Sequence, residues 1–177
     1  MNDSTMSGYE VRAATARDFR AIAEVHVSAW RAAFRGLVPD SHLASVSVDK
    51  RLAFWREAIE FSEPQVQVAT ENGAIVGFVG YDRSRDAKTP ATTGEIWAVY
   101  VKQTHWGRGL GLALWDAARD GLVEEGCTEV TIWLPLRNER ALRFHELAGF
   151  RRELPSARTF DIGGVKVEEI RLRRPIG

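Results

Sequence analysis

The chain has 177 residues, with 24 lysines and arginines balanced by 24 aspartates and glutamates, so no net field draws it to nucleic acid or an acidic membrane. Its length is that of one domain able to bury a core, and its longest apolar runs fall far short of a membrane span. The first residues are polar rather than signal-like, and the lone Cys127 excludes a disulfide framework or a thiolate metal cage, so a cytoplasmic location is expected.

Residues 1–8 are small and polar and read as a disordered lead-in, with 9–177 as one domain. Tyr9 to Ala13 predicts a first strand. Thr15, with Asp18 three residues on, caps a helix whose apolar face is Ile22, Val25 and Ala29; it carries Trp30 and Phe34 towards a stop near Gly36. A second helix starts at about Ser47, with Leu52, Trp55 and Ile59 at helical spacing. Gln65 to Thr70 alternates as a strand, Asn72-Gly73 is a hairpin turn, and Ile75 to Tyr81 returns. After a polar loop from Asp82 to Gly94 comes a strand, Glu95-Ile-Trp-Ala-Val-Tyr-Val101. The leucines and alanines after Gly111 read as a helix ending at Gly126. Val130 to Leu134 is a strand, Asn138 to Ala148 an amphipathic helix closed by Gly149, and Phe150 onward a hairpin turning at Gly163-Gly164. The order β-α-α-β-β-β-α-β-α-β-β describes an α/β chain, a mixed sheet flanked by helices, with no linker or repeat.

Between the strand ending at Val101 and the next helix lies Trp106-Gly-Arg-Gly-Leu-Gly111. A glycine-rich turn at a helix N-terminus lets backbone N–H groups converge on a phosphate, with the positive end of the helix dipole behind them. A Walker A loop would need a lysine after Gly109 or Gly111, and a dinucleotide fingerprint would need glycine where Leu112 stands. By themselves the glycines fit a plain tight turn about as well as a phosphate site.

The strand with Glu95, the glycine turn and its helix resemble the acetyl-CoA-binding core of the GNAT N-acetyltransferases. Asn138-Glu-Arg-Ala141-Leu-Arg-Phe144-His145-Glu-Leu-Ala-Gly149-Phe150 resembles the next motif of that family, in the same order and spacing, and Trp30-Arg-Ala-Ala-Phe34-Arg-Gly-Leu-Val-Pro39 is similar to the first helices of a bacterial branch. The resemblance covers nearly the whole chain. It implies a central mixed, mostly antiparallel twisted sheet flanked by helices. It also implies an acetyl-CoA-dependent N-acetyltransferase that moves acetyl to a primary amine by direct transfer in a ternary complex. The acceptor would be a small-molecule or peptide amine; no metal is required, and a homodimer is left open. The rival reading is a non-catalytic acyl-CoA-binding sensor of the same fold.

On this resemblance, the amides from Gly107 through Arg108, Gly109, Leu110 and Gly111 to Leu112 hold a pyrophosphate. Val99, Tyr100 and Val101 pair through their backbone with the pantetheine arm, like an added strand. Asn138 hydrogen-bonds the same arm and Ala141 leaves room for it; Asn138 is equally a helix N-cap, and the valines equally core. Trp106 stands where glutamine or arginine is more usual, and acts through its backbone. The side chains of Arg108 and Arg143 either reach phosphate or are simply solvated. Glu95 stands where many family members place the base that deprotonates the amine, against a plain solvated or arginine-paired glutamate. His145 replaces a tyrosine that donates to the leaving thiolate: it either supplies one N–H in its place or is a packing histidine. Trp30, Phe34 and Trp97 either line the acceptor pocket or are plain core. Cys127 lies away from the cleft, against a covalent acetyl-enzyme. His26, His42, His105 and His145 show no metal-ligand spacing.

Overall fold

The computed structural model describes residues 8–177, so the lead-in expected over 1–8 lies, apart from Gly8, outside the described residues. In chain order the elements are β1 (Tyr9–Ala13), α1 (Phe19–Phe34), α2 (Asp40–Ser45), α3 (Val48–Phe61), β2 (Gln65–Glu71), β3 (Ala74–Arg83) and β4 (Thr93–Val101). Then follow α4 (Leu110–Glu124), β5 (Glu129–Pro135), α5 (Glu139–Leu147), β6 (Arg151–Ile162) and β7 (Val165–Pro175). The predicted order is met with one addition: the short α2, too brief to show a helical period. One cap is reversed. Asp18, not Thr15, is the N-cap of α1, and its carboxylate accepts from the Thr15 N–H and hydroxyl and from Arg12.

Seven strands form one sheet in the order β1-β2-β3-β4-β5-β7-β6, antiparallel everywhere except between β4 and β5. Asn72 and Gly73 both take positive φ, 50° and 85°, the geometry of the tight turn that joins β2 to β3. On one face α4 and α5 cover Ile96, Val130, Ile132 and Leu172; on the other, α1 and α3 cover Val66, Val68 and Phe78. Close approach sets the first layer: a Cβ on Gly94 would sit 2.7 Å from Leu122 Cδ2, so α4 packs against bare backbone there. Leu110, Leu114 and Leu122 of α4 are fully buried, and truncating any one to alanine costs about 2–5 kcal/mol.

Two irregularities in β4 create the cleft. Gly80 pairs with Ala98 and Tyr81 with Ile96, which leaves Trp97 as the extra residue of a bulge. The bulge turns Val99 and Val101 to the same core as Ile96, while Ala98 and Tyr100 face α1. Beyond the bulge β4 also loses its other neighbour. Only Thr93, Gly94 and Glu95 pair with β5, opposite Glu129, Val130 and Thr131; past these residues the parallel strands separate.

Candidate active site

The gap between β4 and β5 opens into a cleft of about 720 Å³. One end is bounded by the glycine turn, the start of α4 and the face of α5; the other by Phe34 of α1, Arg85, Trp97 and Trp133. At the first end Gly107 and Gly109 have φ of 75° and 81°, values that side chains rarely adopt, and Gly109 is the N-cap of α4. The first bond of α4 runs from Ala113 N to Gly109 O. Among the described residues, the six amides from Gly107 to Leu112 therefore have no acceptor in the chain. Converging free N–H groups backed by a helix dipole fit a diphosphate. Gly111 serves differently: a Cβ there would come within 3.3 Å of the Phe144 ring on α5.

Val99, Tyr100 and Val101 line the cleft on the strand edge that β5 has left, and Asn138 and Ala141 line it from α5. Asn138 is also a working cap, its Oδ1 accepting from Ala141 N–H at 3.2 Å, so its side-chain NH2 is what it has left to offer a ligand. The Val101 carbonyl is taken: Trp106 Nε1 donates to it at 2.8 Å. Trp106 thus acts through its side chain as well, which was not anticipated. For the Arg108 side chain the structure gives the solvated alternative. Its guanidinium donates to the Tyr9 hydroxyl at 2.9 Å, on the far side of the turn, and does not line the cleft, leaving only its amide for an anion. Arg143 does line the cleft, with Leu112, Phe144 and Leu147.

Glu95 is buried at the apex where β4 and β5 part. Its carboxylate accepts from the Arg85 N–H at 2.9 Å and from the Arg85 guanidinium at 2.5 Å. Arg85 is half exposed, lies over the Trp97 ring at 4.1 Å and lines the cleft; Glu95 sits behind it. The arginine-paired alternative is therefore the observed resting state. Arg85 comes from the loop after β3, and only the fold reveals its reach of ten residues.

His145 is buried and lines the cleft between the rings of Phe144 and Phe150. Its Nδ1 lies 2.8 Å from the Ala141 carbonyl, which only accepts, so Nδ1 carries the proton. Burial pushes the imidazole down to about 4, against the opposing pull of that hydrogen bond. At neutral pH the ring is thus neutral and Nε2 holds a lone pair. Of the two alternatives, donor or packing histidine, this arrangement favours packing, because the free Nε2 is an acceptor.

On the acceptor side Phe34 and Trp97 line the cleft, but Trp30 does not. Trp30 lies behind Phe34, stacked on it at 4.5 Å, in a cluster with Val38, Leu43 and Val167. Trp133, missed in the sequence, takes a place at the cleft; it points away from the α4 core because Ile132 and Leu134 point into it. Its Nε1 donates to Asp86, and Arg158 lies 3.6 Å over its ring while pairing with Glu169 at 2.6 Å. No group of three or more metal-ligating side chains occurs among the described residues.

A family model described as the acetyltransferase (GNAT) family matches residues 19–150. The chain is 26% identical over 166 residues to the uncharacterized N-acetyltransferase YuaI of Bacillus subtilis, covering 93% of this chain and 92% of that one. It is 30% identical over 106 residues, 60% of each chain, to the L-amino acid N-acyltransferase MnaT of Escherichia coli. Among solved structures, PaiA N-acetyltransferase of Thermoplasma acidophilum in complex with coenzyme A superposes with a TM-score of 0.76 at 18% identity, over 96% of this chain and 99% of that one.

Proposed function

We propose, for a chain that belongs to the GNAT acetyltransferase family, that it transfers acetyl from acetyl-CoA to a primary amine of a small acceptor, directly and within a ternary complex. One observation carries this reading: a single cleft runs through the β4/β5 gap, with free amides at one end and an aromatic, arginine-lined chamber at the other. Bound acetyl-CoA supplies a thioester carbonyl open to attack and a thiolate leaving group. The amides from Gly107 to Leu112 hold its diphosphate, while β4 beyond the bulge and the Asn138 amide hold its arm. With both substrates in one cleft and Cys127 buried elsewhere, no acyl-enzyme is needed.

A primary ammonium has a pKa of about 10 and must lose a proton before it attacks. Glu95 is the base. Set behind Arg85, it takes the proton through water rather than by direct contact. No side chain serves as acid, since His145 presents a lone pair; solvent protonates the thiolate. Phe34, Trp97 and Trp133 hold the acceptor's apolar part. The amino-acid chemistry in the name of the MnaT relative supports an acceptor that carries a carboxylate near its amine. A lone, unpaired cysteine, Cys127, supports a reducing cytoplasmic setting, with residues 9–177 acting as one domain.

The test is an acceptor screen with acetyl-CoA, following free thiol. L-amino acids, the amines left by their decarboxylation, and short peptides should rank in that order. Silence with every amine would sink the catalytic reading in favour of a sensor.

A further inference from the structure

Arg140 is the arginine of the cleft that is stacked on an indole without a carboxylate beside it. It lies on the first turn of α5, lines the cleft, and holds its guanidinium 3.7 Å over the Trp106 ring. Trp106 is fixed in turn by its hydrogen bond to the Val101 carbonyl. The stack therefore bridges the two walls of the cleft, from the turn after β4 to the helix after β5. Every other arginine on the cleft that touches an indole, Arg85 and Arg158, is neutralised by a glutamate. Arg140 has no carboxylate partner among the described residues, and partial burial pushes its pKa down with no anion to offset it. An unpaired guanidinium held in place by an indole, beside six free amides, is arranged for an anion.

We infer that Arg140, pre-positioned on Trp106, is a binding residue for the diphosphate of the co-substrate, and that the two form a clasp across the phosphate end of the cleft. The inference rests on the acetyl-CoA reading of the cleft. It explains why tryptophan stands before Gly107: an indole holds the guanidinium flat, where a flexible amide would not. The predicted contact is charge-assisted, with planar N–H donors matching phosphate oxygens.

The test is equilibrium binding by calorimetry, with coenzyme A, 3′-dephospho-coenzyme A and pantetheine as probes. Arg140→Gln should weaken both nucleotide ligands about tenfold or more and leave pantetheine unchanged. Arg140→Lys keeps the charge and should recover part of the loss. Trp106→Leu, which frees the guanidinium, should weaken coenzyme A less than Arg140→Gln does. Equal affinity of wild type and Arg140→Gln for coenzyme A would overturn the assignment, as would an equal loss for pantetheine, which means packing alone. A loss confined to coenzyme A and absent with 3′-dephospho-coenzyme A would move the contact off the diphosphate and also overturn it. Failure of the wild type to bind coenzyme A would instead remove the underlying reading of the cleft.

Discussion

The Nδ1–H of His145 is bound to the carbonyl of Ala141, one turn back on the same helix, at 2.8 Å. That bond decides which nitrogen faces the cleft, and with it the acid–base chemistry of the site. An imidazole with Nδ1 protonated and a pKa near 4 is neither charged nor a donor at its free nitrogen between pH 5 and 9. The pH–rate profile of acetyl transfer should therefore carry no inflection from His145. His145→Phe, which keeps the aromatic volume, should retain most of the turnover. A loss of a hundredfold in that variant, with coenzyme A affinity intact, would restore the histidine as proton donor.

Two buried histidines contribute to the fall of stability in acid, alongside the carboxylates of Asp18, Glu129 and Glu153, which their arginine partners hold below the usual range. Burial holds His145 at about 4 and His26 at about 3, and Trp55 Nε1 donates to His26 Nδ1, so that nitrogen must stay unprotonated. Both folded pKa values lie below the ordinary 6.5, so the unfolded chain binds the extra protons first. The stabilisation is whole above about pH 6.5 and is lost as pH falls from there towards 4 and then 3. For His145 the loss is on the order of 3 kcal/mol, and His145→Phe should flatten the fall of the melting temperature between pH 6.5 and 4. An unchanged slope would mean the imidazole is already protonated in the native state.

Glu95→Gln keeps size, leaves one oxygen to accept from Arg85 where two do now, and removes proton affinity. With a strongly basic amine, turnover should fall on the order of a hundredfold while coenzyme A binds as before. The decline should shrink with weakly basic acceptors, which are already neutral. Full turnover with a strongly basic acceptor would take Glu95 out of the reaction.

Gly109 holds a left-handed conformation, φ 81°, that a β-branched residue adopts only under strain. Gly109→Val should fold with a modest loss of stability, about 1–3 kcal/mol, and lose the rise in melting temperature on adding acetyl-CoA. A normal rise would place the diphosphate elsewhere.

Trp30 and Trp97 should separate cleanly. Trp30→Ala opens a cavity behind Phe34 and should cost about 3–5 kcal/mol with little change in acceptor KM. Trp97→Ala should raise acceptor KM several-fold at a smaller cost in stability. The reverse pattern would mean that Trp30, not Trp97, meets the acceptor.

The sequence showed the strands, helices and glycine turn because each is governed by neighbours close in the chain. Asn72-Gly73 and the cap at Asn138 were read from a few residues and stand where expected. What stayed hidden depends on partners far apart. Arg85 on Glu95, Arg140 on Trp106 and Trp30 behind Phe34 follow from packing, which no local period encodes. The bulge at Trp97 was hidden too, because a single extra residue leaves hydrophobicity unchanged and shows only in register.

Only three residue pairs sew β4 to β5, helped by the Thr131 hydroxyl on the Gly94 carbonyl. This seam divides the sheet into a four-stranded and a three-stranded half, and on the proposed function the co-substrate arm takes the place of the missing rungs. Occupancy should then read out as mechanical stiffness. Amide exchange at Glu95 and Thr131 should slow on ligand addition far more than in β2 or β7, each flanked by strands on both sides. On that prediction a loaded molecule would behave as one plate, and an empty one as two plates sharing a short hinge.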